Sequence, residues 1–432
     1  MAQQHFSRRQ FLRVGAGTVV VVSFGACASA DRADRPIGPV DPRSRPPLPS
    51  SSLPALGMST STTSTAPMGE LLAGRRLVIV QMNGGNDGLN TVVPLDGRYH
   101  DARPTLGLDD GSLVGLDGID DVALHPSLAP LVPFWADGRL AVVRGIGFDR
   151  PNRSHFVAMD RWWRADDLAG TGWLGRVLDS LPADPAALHS TALGGGAPLL
   201  SGVVRQPTTV ASPSSFKFAG LDPEVVRLLA APEANDTVTA LAQRAFARTV
   251  DAVADFAEIT GADPAAEDLP DREGDASISA GLAVAAQLLG GDVGAQVVVV
   301  SASGFDTHAN QVAVQRDLLG DLAAGIASFF AQIEQDGLRD DVLLVTTSEF
   351  GRRVHENGSG GTDHGAGGVS FALGQGVRGG VYGAADLGDL LDGDIRPTVD
   401  PRVLYTACLD WLGADPSAVL GRRYDEVNLL RV

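Results

Sequence analysis

The chain has only two cysteines in 432 residues, Cys27 and Cys408, so no disulfide framework can hold it. No stretch of about 18 or more apolar residues occurs, which argues against a membrane-spanning helix. Basic charge is scarce: 34 Lys and Arg face 52 Asp and Glu, for a formal net charge of −18. That balance speaks against nucleic-acid binding, which needs a basic face. The Gly- and Asn-rich turn from Asn83 to Asn90 is neither a G-x-G-x-x-G fingerprint nor a phosphate loop with its lysine, so it gives nucleotide binding no support. The G-x-S-x-G elbow of many serine hydrolases is missing too. No internal repeat is apparent.

What is present begins with a targeting segment. Ser7-Arg8-Arg9-Gln10-Phe11-Leu12-Arg13 carries an arginine pair followed by apolar residues. An apolar stretch from Val14 to Phe24 follows, then the small residues Ala26-Cys27-Ala28-Ser29-Ala30. Basic, apolar, small is the order of an export signal, here of the twin-arginine type, and it implies the twin-arginine export machinery as a partner. Residues 1–30 are read as that signal, and their removal with Arg8, Arg9 and Arg13 takes the net charge to −21. The expected destination is periplasmic, cell-surface or extracellular. Phe24-Gly25-Ala26-Cys27 also resembles a lipoprotein box with a poor first residue, which leaves a lipid anchor on Cys27 open. Residues 31–68 are rich in Pro, Ser and Thr without hydrophobic periodicity, the composition of a disordered linker. A single α/β domain is expected over 69–432.

Within it, four short β-branched or aliphatic runs look like buried parallel strands: Leu77–Val80, Leu140–Val143, Val297–Val300 and Val342–Val345. Helical spacing marks 223–229, 237–259 and 278–289, a helical insertion at about 222–290 interrupted by an acidic loop at 261–275. Strands alternating with helices predict a doubly wound, mostly parallel sheet. Each strand run leads into a small polar cluster, and ligands in such sheets sit outside the carboxyl ends of the strands.

Those clusters carry the candidate chemistry. Asp87 lies in a Gly- and Asn-rich turn, where a carboxylate can hold a cation or bond local amides. Ser154 precedes a helix-like stretch, as a nucleophile or as a cap. Arg153 can neutralise an anionic substrate, and His155 can assist or simply pack. Asp306 and His308 stand two apart beyond a strand and can converge on one ion. Glu349 at the next strand end needs a partner or a metal, and Arg352 is the nearest partner. Asp363 and His364 sit in a glycine-dense loop that can fold inward, with His355 a weaker candidate. His100, His125 and His189 lack a context for ligation. The carboxylate and imidazole set suits a divalent metal ion, whether Zn, Mn, Fe, Mg or Ca.

The ordered motifs GGNDGLNTVVP, RSHF, TGWLGR, GFDTH, SEFGRRV, GTDHG and RGGVYG resemble a bacterial family catalogued as domain of unknown function 1501, from about Leu77 almost to Val432. That family in turn resembles the alkaline phosphatase and sulfatase superfamily, which implies an alkaline-phosphatase-like fold and a two-metal set. By order, the superfamily's ligands and nucleophile fall on Asp87, Ser154, Asp306 with His308, Glu349 and His364. Two departures stand out. Asp306 and His308 are closer together than the usual pair, and Glu349-Phe350 occupies the place of an Asp-His, leaving Asp363 to compensate.

The reading that results is an exported, metal-dependent hydrolase or transferase acting on a phosphate or sulfate ester. Ser154 would attack, and Arg153 would hold the anion. The alternative is a non-catalytic exported protein that binds a metal, a glycan or another protein, a reading favoured by Phe350. A metal-independent serine hydrolase is disfavoured.

Overall fold

In the computed structural model the described residues are Leu72 and 74–167, 170–181, 185–212, 216–217, 225, 226, 228, 237–261 and 277–431. The signal segment with Cys27, the Pro/Ser/Thr-rich stretch, nearly all of 218–236 and the acidic loop lie outside them.

All four apolar runs are strands. In chain order the strands of the two larger sheets are β1 (Arg76–Met82), β2 (Val92–Pro94), β3 (Val114–Leu116), β4 (Ile119–Leu124), β5 (Leu140–Ile146), β6 (Ser190–Leu193), β7 (Thr208–Val210), β8 (Val297–Ala302), β9 (Val342–Thr347), β10 (Gly368–Leu373) and β11 (Gly380–Gly383). Eight of them form one sheet in the order β11-β5-β10-β9-β1-β8-β6-β7, and β2, β4 and β3 form a small second sheet. In the large sheet only β10 is antiparallel to its neighbours, β5 and β9. The sheet is therefore mostly parallel, as expected.

Side chains alternate across the strands, and both faces find cover. Val78, Val80, Val298, Val300 and Leu344 face one core, which they share with α4 (Ile278–Gly290) and α5 (Gln311–Gln335). Leu77, Ile79, Val297, Val299, Leu343 and Val345 face the other, packed with α1 (His155–Arg164), α2 (Trp173–Asp179) and α6 (Pro401–Trp411). Burial on both faces explains why these strands read as unbroken apolar runs. Helix α3 (Thr237–Thr260) and α4 occupy the expected helical stretches, and α4 is integral to its layer, with Leu282, Ala285, Leu288 and Leu289 buried. Cys408 is fully buried in α6, where desolvation pushes its thiol pKa upward.

The strand register fixes one functional edge. Met82 pairs with Ala302 and Gln81 with Thr347, so the carboxyl ends of β1, β8 and β9 are level. Gly368, the first residue of β10, pairs with Ile146, the last of β5. The reversal of β10 thus brings the loop that precedes it, with Asp363 and His364, to the same edge.

Candidate metal centre

Three loops and a helix start deliver side chains to that edge. Asp306 and His308 follow β8, Glu349 follows β9, His364 precedes β10, and His155 opens α1 after β5. Close crossing of these loops is possible because of glycine. Gly84 has φ +123°, and a Cβ there would overlap the backbone of Phe305 and Asp306. Arg352, almost fully buried, ties the loops together. Its Nε donates to the Gly85 carbonyl at 2.7 Å, Nη1 to Thr362 at 2.9 Å, and Nη2 to the Gly84 carbonyl, to Phe305 at 3.1 Å and to Asp306 Oδ1 at 2.6 Å.

The imidazoles converge on Asp306. Nε2 of His308 and Nε2 of His364 each lie 3.1 Å from Asp306 Oδ1 and 2.9 Å from one another. His155 Nε2 lies 3.5 Å from Asp306 Oδ2, and it is buried without a hydrogen-bond partner. The far nitrogen of every ring meets an oxygen: His155 Nδ1 meets Glu349 Oε1 at 2.8 Å, His308 Nδ1 meets Asp363 Oδ1 at 3.1 Å, and His364 Nδ1 meets the Arg153 carbonyl at 2.8 Å. An acceptor at Nδ1 places the ring proton there and leaves a lone pair on Nε2. Three lone pairs then face a carboxylate, an arrangement that repels unless a cation lies among them. Donor atoms about 2.0–2.2 Å from one ion are roughly 3–3.5 Å apart, close to the spacings found here. Oxygen partners behind metal-bound histidines are the usual supporting arrangement.

Electrostatics agree with an ionised Asp306. Burial works to raise its pKa, but the Arg352 guanidinium, by its hydrogen bond and its charge, holds it below the usual carboxylate range. Asp363 is also lowered, first by the Asn357 hydrogen bond and then by His308. The Asp306 side chain is 47% exposed, so the centre opens to solvent. Phe350 is buried beneath it, with ring centroids 4.9 Å from His155 and 4.8 Å from His364. The residue standing where the superfamily resemblance implied a ligand is an aromatic floor for two of the rings.

Several expected residues take other places. Asp87 does not join the cluster. Its Oδ1 caps a short helix by accepting from the Leu89 and Asn90 amides, and its Oδ2 accepts from Arg103 Nη1 at 2.7 Å and from Gln311 Nε2. With Arg103 fully buried, that carboxylate already has its cation. Glu349 and Asp363 stand behind His155 and His308, and Glu349 also accepts from the Gly84 amide at 2.8 Å. Arg352 pairs with Asp306, not with Glu349. Ser154 is the exposed N-cap residue of α1, but its hydroxyl makes no capping hydrogen bond. Arg153 donates through Nε at 2.9 Å and through Nη2 to Oδ2 of Asp394, a buried carboxylate whose pKa is raised by desolvation despite that pairing.

His155 has a larger part than its sequence context indicated. With Asp306 and His364 it forms a metal-suited group whose donor atoms all lie within 4.8 Å of one another. One signal for it was available: His155 follows a strand run by the same sort of short loop as His308 does. The histidines without a ligation context are elsewhere. His125 caps a 3-10 turn, and His189 bonds Gln296.

Imidazoles and a carboxylate gathered at the carboxyl edge of an α/β sheet make a candidate metal site. The chain belongs to the family described as "Protein of unknown function (DUF1501)", whose model matches residues 141–426. No curated protein matches it. Similar solved structures include a phosphonate monoester hydrolase from Silicibacter pomeroyi, at 9% identity and TM-score 0.38, covering 82% of this chain and 78% of that one. The C-terminal periplasmic domain of EcEptC from Escherichia coli, in complex with Zn, is similar at 11% identity and TM-score 0.36, over 84% and 90% of the two chains. The lipoteichoic acid synthase LtaP from Listeria monocytogenes is similar at 10% identity and TM-score 0.35, over 82% and 76%. Likeness at these scores assigns no residue of the site.

Proposed function

We propose that His155, Asp306, His308 and His364 hold one divalent metal ion, and that the protein is an exported metal-dependent hydrolase or transferase of phosphate or sulfate esters. The observation that carries this reading is the convergence of three Nε2 atoms on Asp306 while every Nδ1 is engaged by an oxygen. The ion would supply Lewis acidity toward the oxygens of an ester.

The chain's own groups fit the rest of that chemistry. Ser154, flanked by Arg153 and His155, has an exposed hydroxyl that the helix cap leaves free. The first-turn amides of α1 point toward it and favour negative charge there, which suits an attacking oxygen. Glu349 and Asp363 orient the His155 and His308 rings, and Phe350 fixes the planes of His155 and His364. Arg153 retains Nη1 for an anion.

A screen of aryl phosphate and sulfate esters, with divalent metals added singly, tests the reading. Metal-dependent turnover that Ser154→Ala abolishes is the expected result; turnover unaffected by that substitution would remove Ser154 from the mechanism. The pairing of Arg153 with Asp394 favours a second reading, a metal-binding protein without turnover. Bound metal with no hydrolysis across the screen would select it.

A further inference from the structure

Beside the metal centre, two arginines from separate segments share one buried acid. Arg153 reaches Oδ2 of Asp394 through Nε at 2.9 Å and through Nη2. Arg353 approaches Oδ1 with Nε at 3.5 Å, and its Nη2 donates to the Asp392 carbonyl at 3.0 Å. Asp394 has no exposed side-chain surface, whereas the arginines are 39% and 40% exposed. Neither Nη1 has a partner among the described residues. Asp394 thus hydrogen-bonds the Arg153 guanidinium and lies within ion-pair distance of that of Arg353, its Oδ1 having no hydrogen-bond partner among the described residues, and each guanidinium keeps its other edge free.

Both arginines are tied to the metal-site loops. Arg153 precedes Ser154 and His155, and its carbonyl meets His364. The Arg353 amide donates to the Asp363 carbonyl at 3.0 Å, next to His364. We infer that Arg153 and Arg353, yoked by Asp394, form an anion clamp that binds the tetrahedral oxyanion of the substrate at the rim of the metal centre. The assignment rests on the ester reading above and adds Arg353 to it as a binding residue. Guanidinium forks suit phosphate and sulfate oxygens because two parallel N–H groups match two oxygens. Pre-anchoring by Asp394 limits the side-chain entropy lost when the anion arrives.

Calorimetric titration with inorganic phosphate tests the clamp, with metal content and thermal midpoint recorded for each protein. Arg353→Gln and Arg153→Gln should each weaken phosphate binding by about tenfold or more, with metal content unchanged. Arg353→Lys should recover only part of the loss. Asp394→Asn loosens the anchor that holds the guanidiniums in place and should also weaken phosphate binding, which covers the case in which an arginine variant folds poorly. The clamp is overturned if both glutamine variants bind phosphate within about twofold of wild type. It is also overturned if wild-type protein that holds its metal binds no phosphate at millimolar concentration. If the protein takes up no metal, the ester reading fails instead; phosphate binding lost in Arg353→Gln would then still support the clamp, and no phosphate binding would end it.

Discussion

Replacing Asp87 by Asn keeps an oxygen for the Leu89 and Asn90 amides but removes the charge that faces Arg103. Arg103 has no exposed side-chain surface, and its Nη1 lies 2.7 Å from Asp87 Oδ2. Breaking a buried pair from one side costs about 3–5 kcal/mol, because the remaining charge stays out of water. Arg103 keeps bonds to the carbonyls of Val354 and Arg353, each at 2.9 Å, and to Asn90, which places the expected loss near the lower end, about 3 kcal/mol. For a domain of this size each kcal/mol lowers the melting midpoint by roughly 1–2 °C, so a drop of about 3–6 °C is expected. Denaturant unfolding gives the free energy, calorimetry the midpoint, and elemental analysis the metal content of the same sample. Metal content should stay at the wild-type value. Loss of metal with little change in stability would refute the structural assignment and return Asp87 to the ligand set.

Other consequences are as direct. Glu349→Gln leaves every proposed ligand in place but weakens the acceptor behind His155, so metal affinity should fall about 10–100-fold; an unchanged affinity in a metal-competition titration would contradict that role. His125 has its pKa lowered to about 4, first by burial and then by Arg316, against an ordinary 6.5. The unfolded chain therefore binds the extra proton first as pH falls, and this contribution to stability, complete above pH 6.5, is lost between 6.5 and about 4. His125→Asn should flatten the stability–pH curve in that window, and a curve parallel to wild type would disprove the assignment. Gly361→Ala would set a Cβ against the backbone of Thr307 and His308, so the variant should lose metal as well as stability; normal metal content would show that the loop can yield there.

The sheet was legible in the sequence because burial on both faces leaves long aliphatic runs, and all four runs became strands. Strands β6 and β7 were not, since Ser190–Leu193 and Thr208–Val210 are short and carry threonines. Nor could the sequence reveal the reversal of β10, which brings His364 to the edge. Asp306, His308, Glu349, Asp363 and His364 stood out as polar groups at strand ends, and the structure brings all five together with His155. Which carboxylate stands behind which ring depends on distances between residues far apart in the chain. Asp87 looked the same as Asp306 in sequence, as an acid beyond a strand. Their difference is that Asp87 is buried and occupied by Arg103, Gln311 and two helix amides, whereas Asp306 is half exposed beside three imidazoles, and no local motif marks Arg103.

The central claim is most directly tested by the metal content of protein purified without chelators or metal affinity, measured by elemental mass spectrometry beside His155→Ala, His308→Ala and His364→Ala variants. The account predicts about one divalent ion per wild-type chain and a marked loss in each variant that still folds. No metal in the wild type after reconstitution, or full metal content in all three variants, would contradict it.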